Sequence, residues 1–115
     1  MSVRRGKRRS TVSPAIKQLC GQIVRGFSPD RIILFGSHAL GHAIPDSDVD
    51  LLVILPVDCD ELEKAAEIRL SIDPPFPVDI LVRSPKRLEQ RLALGDTFLR
   101  EIIAGGTVLY EAPHR

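Results

Sequence analysis

Apolar residues in the first third of the chain recur at helical spacing. Ile16, Leu19, Cys20, Ile23, Val24 and Phe27 follow Ser13-Pro14. Serine at N-cap and proline at the first helical position predict an amphipathic helix that begins there and ends near Gly26. Ser28-Pro29-Asp30 reads as a turn. Ile32 to Phe35 is then a short apolar run rich in β-branched residues, so a buried strand stopping at Gly36. Residues 37–47 read as a loop or short helix. Val49 to Leu55 is apolar on both faces, which predicts a strand in the interior of a sheet.

Asp58 or Asp60 is placed to cap a helix running to about Ser71. The prolines of Pro74-Pro75-Phe76-Pro77 form a stiff connector into a third strand, Val78 to Val82. Ser84-Pro85 repeats the serine-proline helix start and leads into a helix through Leu94. Gly95 breaks it, and Asp96 caps a last helix ending at Gly105-Gly106. Thr107 to Tyr110 is placed for a short edge strand. This order predicts a single α/β (α+β) domain.

Composition changes little of this. The chain has 115 residues, 43% hydrophobic and 27% charged, which suits one domain with one core. No run is long and apolar enough to cross a bilayer: the best, Leu51 to Leu55, stops at Pro56. Cys20 and Cys59 lie far apart without a CxxC partner and read as reduced, partly buried thiols of a cytoplasmic protein, with a disulfide between them the open alternative. With no Trp, one Tyr and four Phe, the chain lacks a base-stacking platform for single-stranded nucleic acid.

Charge is more informative than its sum. The net charge of +1 hides a split between a basic leader and an acidic body. Arg4, Arg5, Lys7, Arg8 and Arg9 lie in the first ten residues with no acid among them, leaving eleven basic and fifteen acidic side chains for the rest. Residues 1–12 therefore read as a disordered basic leader and residues 13–115 as the folded domain. Nothing in the sequence assigns the leader a nucleic-acid or catalytic role.

Three of the acidic residues stand where apolar ones would be cheaper. Asp48 and Asp50 open the second strand and Asp79 lies in the third. Residues i and i+2 of a strand share a face, so Asp48 and Asp50 aim at one point. Asp79 joins them if the third strand lies beside the second. Gathered carboxylates repel one another unless a cation neutralises them. Oxygen-only ligands favour Mg²⁺ or Mn²⁺ over zinc. Gly36 lets the backbone approach a phosphate closely, and the Ser37 hydroxyl adds a donor. A phosphate holder beside an acidic metal site equips a protein for phosphoryl or nucleotidyl transfer. Taken singly, Gly-Ser is a common turn, Asp-x-Asp a common cap, and Asp79 a charge that keeps an edge strand from aggregating. It is the combination that is specific.

With these motifs in place, the sequence resembles a minimal nucleotidyltransferase of the DNA polymerase β superfamily. The matching residues are Phe35-Gly36-Ser37-His38-Ala39-Leu40-Gly41, Asp46-Ser47-Asp48-Val49-Asp50-Leu51-Leu52-Val53 and Pro77-Val78-Asp79-Ile80-Leu81-Val82. The close of the chain, Phe98 to Glu111 with Gly105-Gly106-Thr107, resembles small bacterial and archaeal members. The resemblance implies a small mixed sheet flanked by helices. It implies that Gly36 and Ser37 hold the β- and γ-phosphates of ATP. By the same resemblance, Asp48 and Asp50 bridge two Mg²⁺ ions, and Asp79 holds the ion that activates the attacking hydroxyl. Such chains are often paired with a HEPN-domain ribonuclease toxin. There they act as antitoxin in a hetero-oligomer, transferring AMP to a toxin tyrosine, and that is the function the resemblance implies here.

The sequence departs from the family pattern at Leu40, where small members commonly carry Arg, and at His38, another position often held by Arg. These departures bear on the level of activity. His38 and His42 lie four apart but have no third ligand beside them, so they read as flanking the phosphate loop or facing water. Two alternatives stay open: a catalytically weak antitoxin that works by binding, and one subunit of a two-chain small-molecule nucleotidyltransferase. Haloacid-dehalogenase-type phosphatases place Asp-x-Asp after a strand, whereas here it precedes one. The apolar faces of the first and the last two helices are candidate partner surfaces, with core packing as the competing reading.

Overall fold

The computed structural model describes residues 12–36, 48–57 and 59–113. Helix α1, Pro14–Phe27, starts where the sequence places it: Ser13 Oγ accepts the Ile16 N–H at 3.2 Å. It closes one residue later than Gly26, on Ser28 in the left-handed region (φ 51), whose N–H donates to the Val24 carbonyl. Its apolar stripe, Ile16, Leu19, Cys20 and Ile23, is buried. That stripe is core, which settles the choice between partner surface and packing for this helix.

The remaining elements are β1 (Arg31–Phe35), β2 (Val49–Ile54), α2 (Glu61–Ser71), β3 (Val78–Arg83), α3 (Pro85–Ala93), α4 (Thr97–Gly105) and β4 (Thr107–Glu111). Asp60 caps α2 through the Leu62 N–H, and Asp58 lies outside the described residues. Ser84 caps α3 and Asp96 caps α4, through the Arg87 and Leu99 N–H groups. Each cap satisfies a donor the helix cannot satisfy itself.

The four strands form one sheet in the order β3-β2-β1-β4. β1 pairs antiparallel with both β2 and β4, while β2 pairs parallel with β3 through the α2 crossover. The mixed sheet with helices on both faces is the single α/β (α+β) domain expected. β2 is interior, as its two-sided apolar pattern requires, and Leu51, Leu52 and Val53 are fully buried.

Alternation divides the core into two layers. Ile32, Leu34, Val49, Leu51, Val53, Val78 and Val82 pack with α1 and with Ile68 of α2. Val12 belongs to this layer, so the folded body begins at least one residue before position 13. Ile33, Leu52 and Ile54 face the other way, onto Leu88 of α3 and Leu99 and Ile102 of α4. Leu88, Leu99 and Ile102 of these helices are therefore core, while Phe98 stays half exposed.

Glu61 ties the layers to the strand end: its Oε2 accepts the Ser84 N–H at 2.8 Å, and Arg83 Nη1 stands 3.7 Å from its Oε1. Both cysteines are free. Cys20 is buried, and burial pushes its thiol up, but Cys59 is exposed where partial burial was expected. A cysteine in the polar turn before α2 has no core to join. Residues 1–11 of the basic leader lie outside the described residues. Among the described residues, no helix is long and apolar enough to cross a membrane.

Candidate functional site

The site residues gather at one end of the sheet because of strand register. Phe35, the last residue of β1, pairs with Asp50, the second residue of β2. Asp50 in turn pairs with Asp79 across the parallel β2–β3 ladder. Register partners share a face, and neighbouring strands lie about 4.8 Å apart. The face of Asp50 and Asp79 is the one covered by α3 and α4, and these two acids take the positions where it runs out beyond Leu52 and Leu81. Asp48 stands just before β2, one residue ahead of the first register pair Val49–Val78.

Gly36 completes the arrangement. It follows β1 with φ 79, a conformation that disfavours any side chain. A Cβ at this position would overlap Asp50 Oδ2 and stand 3.3 Å from Asp50 Cγ. The Asp50 carboxylate thus occupies the space that only glycine leaves open. Asp50 is half-buried, while Asp48 and Asp79 are exposed. The rim is open to water, because β3 is an edge strand and Asp48 precedes the first paired residue of β2.

Among the described residues, no three His, Cys, Asp or Glu side chains converge into a ready-made metal site. The chemistry of the carboxylates there suits a hard cation: Asp50 and Asp79 are cross-strand partners and Asp48 precedes their strand end, all oxygen donors. Ser37, His38, Leu40, His42, Asp46 and Ser47 lie outside the described residues, as does the loop or short helix expected over 37–47.

Beside this rim opens a cleft of about 320 Å³ lined by Phe35, Gly36, Phe98, Glu101, Ile102, Gly105 and Gly106. The rings of Phe35 and Phe98 meet edge to face, 5.8 Å apart at 84°. Gly106 lets α4 close onto β1, since a Cβ there would lie 2.6 Å from Ile33 Cγ2 and 3.0 Å from the Leu34 carbonyl oxygen. Sequence reasoning singled out none of Phe98, Glu101 or Ile102 as site residues. Their helical spacing signals only an amphipathic helix, and nothing local says which strand end it covers.

The nucleotidyltransferase-domain family model matches residues 16–110, nearly the whole described body. The chain belongs to this family. The match starts within α1 and ends within β4, so the nucleotidyltransferase domain includes both flanking helices and the edge strand. No curated protein sequence matches it significantly.

Solved structures share the fold at low sequence identity. A Sulfolobus solfataricus protein assigned as a nucleotidyltransferase is 19% identical, with a TM-score of 0.53 over 66% of this chain and 69% of that one. A toxin–antitoxin structure with AMP-PNP is 22% identical, with a TM-score of 0.54 over 84% of this chain and 73% of that one. Against both, the nucleotidyltransferase domain is alike in fold.

Proposed function

We propose that this nucleotidyltransferase moves AMP from ATP to a hydroxyl acceptor, a tyrosine of a HEPN ribonuclease toxin, and so acts as antitoxin in a cytoplasmic hetero-oligomer. The observation that carries the transfer chemistry is the register Phe35–Asp50–Asp79, with the Gly36 backbone against Asp50. Support for a toxin partner comes from the likeness to a toxin–antitoxin structure with AMP-PNP, together with the motif set.

In this reading Asp48 and Asp50 would hold two Mg²⁺ ions, Mn²⁺ being the alternative, with Asp79 as a further carboxylate ligand. Bound there, the ions supply charge stabilisation to the attacking and leaving oxygens. Gly36 and Ser37 hold the β- and γ-phosphates, since a glycine backbone admits a phosphate that a side chain would exclude. Asp79 orients the acceptor hydroxyl and receives or relays its proton. The hydroxyl oxygen forms a bond to the α-phosphorus in line as the bond to the bridging oxygen breaks. AMP stays on the acceptor and pyrophosphate leaves. The openness of Asp79 suits this role, because a protein acceptor must reach it.

The test is incubation with labelled ATP, Mg²⁺ and a candidate HEPN partner, read as added AMP mass on the partner. Asp50→Asn and Asp79→Asn are expected to cut transfer by on the order of 10²–10³-fold, the scale on which one preorganised electrostatic contact contributes. Equal toxin neutralisation by wild type and Asp50→Asn without transfer would instead establish an antitoxin that acts by binding. Transfer to a small hydroxyl compound in place of the toxin would assign the two-chain alternative.

A further inference from the structure

The cleft beside the acidic rim is built unlike the rim. Its walls are Phe35, Phe98 and Ile102, two of its lining positions are the glycines Gly105 and Gly106, and among the described residues the one charged side chain lining it is Glu101. At about 320 Å³ it lies at the small end of ligand sites, roughly 300–1,000 Å³. Phe98 is half exposed, at 53%, yet its ring is fixed edge-on against Phe35. An exposed aromatic face held in place suits stacking against a flat ring.

Sheet order decides which flat ring. From β3 to β4 the strands carry Asp79, Asp50, then Phe35-Gly36, and Gly106 leads into the last. The cleft and Asp79 therefore flank Asp50 on opposite sides. The acceptor approaches by Asp79, so the cleft is on the nucleotide's side. The triphosphate does not suit an apolar slot with a carboxylate at its edge. A base does, and Glu101 can only accept hydrogen bonds when ionised, so it favours an edge bearing an amino group.

We infer that Phe98 and Glu101 form the base-selecting cleft of this enzyme, taking adenine, with Phe98 stacking on the ring and Glu101 accepting from its exocyclic amine. The inference rests on the nucleotidyl-transfer reading and adds to it the choice of base. Where adenine offers Glu101 its amine, the hypoxanthine of inosine triphosphate presents a carbonyl oxygen, which sets the preference for ATP over inosine triphosphate.

Calorimetric titration of the full chain with Mg-ATP, Mg-inosine triphosphate and Mg-tripolyphosphate tests it. ATP is expected to bind more tightly than tripolyphosphate. Phe98→Ala should weaken ATP binding about tenfold, the size of one base–aromatic stack, and leave tripolyphosphate binding unchanged. Gly105→Leu should do the same: a Cβ there meets no atom within 4 Å, so the substitution narrows the cleft without straining the helix end. Glu101→Gln should shrink the preference for ATP over inosine triphosphate.

Unchanged ATP affinity in both Phe98→Ala and Gly105→Leu, with tripolyphosphate still bound, overturns the cleft assignment and leaves nucleotidyl transfer standing. So does a raised acceptor KM with ATP affinity intact, which would give the cleft to the acceptor. Failure of the wild type to bind either Mg-ATP or Mg-tripolyphosphate overturns the transfer reading and the cleft with it.

Discussion

The carboxylate of Asp50 fills the space where a side chain of Gly36 would stand. Strand end and acid are thereby fitted to one another, and neither can change alone. Gly36→Ala meets two penalties, the positive φ and the overlap with Asp50. The left-handed backbone alone costs about 1–2 kcal/mol for a residue with a Cβ. Gly36→Ala should lower urea-unfolding stability by at least that much. In an Asp50→Ala background the loss should fall back toward the backbone term, and a double-mutant cycle measures the difference. Additive effects of the two substitutions would disprove the contact.

Binding at the acidic rim stabilises the fold by mass action, because the unfolded chain has no such site. Mg-ATP at a hundredfold excess over Kd should add about 2.7 kcal/mol. For a domain of this size that is a Tm rise of roughly 10 °C. The rise should be largely lost in Asp50→Asn and Asp79→Asn, and chelation with EDTA should abolish it in the wild type. A Tm that does not respond to saturating Mg-ATP would show that the isolated chain does not form the site.

Asp96 gives a pH dependence with a definite sign. Its carboxylate accepts the Leu99 N–H and lies 3.1 Å from Arg91 Nη2, and these hold it below its ordinary value of 3.8. A carboxyl lowered in the fold contributes stability above its unfolded value and loses it as pH falls through the folded one. The advantage of wild type over Asp96→Asn should therefore be complete at pH 7 and shrink progressively below about pH 4. Asparagine is itself a good cap, so what remains in the comparison is charge. Thermal melts of the two proteins across pH 2.5 to 7 (a range of about four units around the carboxyl's ordinary value) check it. A gap that widens in acid would refute the assignment.

The adjacent glycines Gly105 and Gly106 are expected to behave oppositely. Gly106→Ala drives a methyl into Ile33 and the Leu34 carbonyl and should cost about 1–3 kcal/mol, as overpacking does. Gly105→Ala meets nothing and should be neutral or stabilising by about 0.4–1 kcal/mol through the unfolded chain. Paired denaturant melts of the two variants distinguish them.

Most of the local structure was legible in the sequence. Ser13, Asp60, Ser84 and Asp96 are caps because each precedes a helical apolar pattern, and the structure shows all four accepting the expected N–H. The wall of the cleft was not legible. Phe98 and Ile102 belong to the same helical stripe as Leu99, and period alone does not say that one end of it overhangs Phe35. Cys59 is exposed for a related reason: burial is decided by what lies opposite, not by residue type.

The sequence by itself determined the strands and the helix starts, because these follow from periods of two and 3.6 residues and from capping chemistry within a few positions. Only the tertiary structure decided that Asp79 stands beside Asp50. Nearly thirty residues separate it from Asp50, and its place depends on β3 pairing parallel to β2 in the register Asp50–Asp79. Pairing of distant strands is set by how two layers of helices cover both faces of the sheet at once, a balance over the whole chain that no local period encodes.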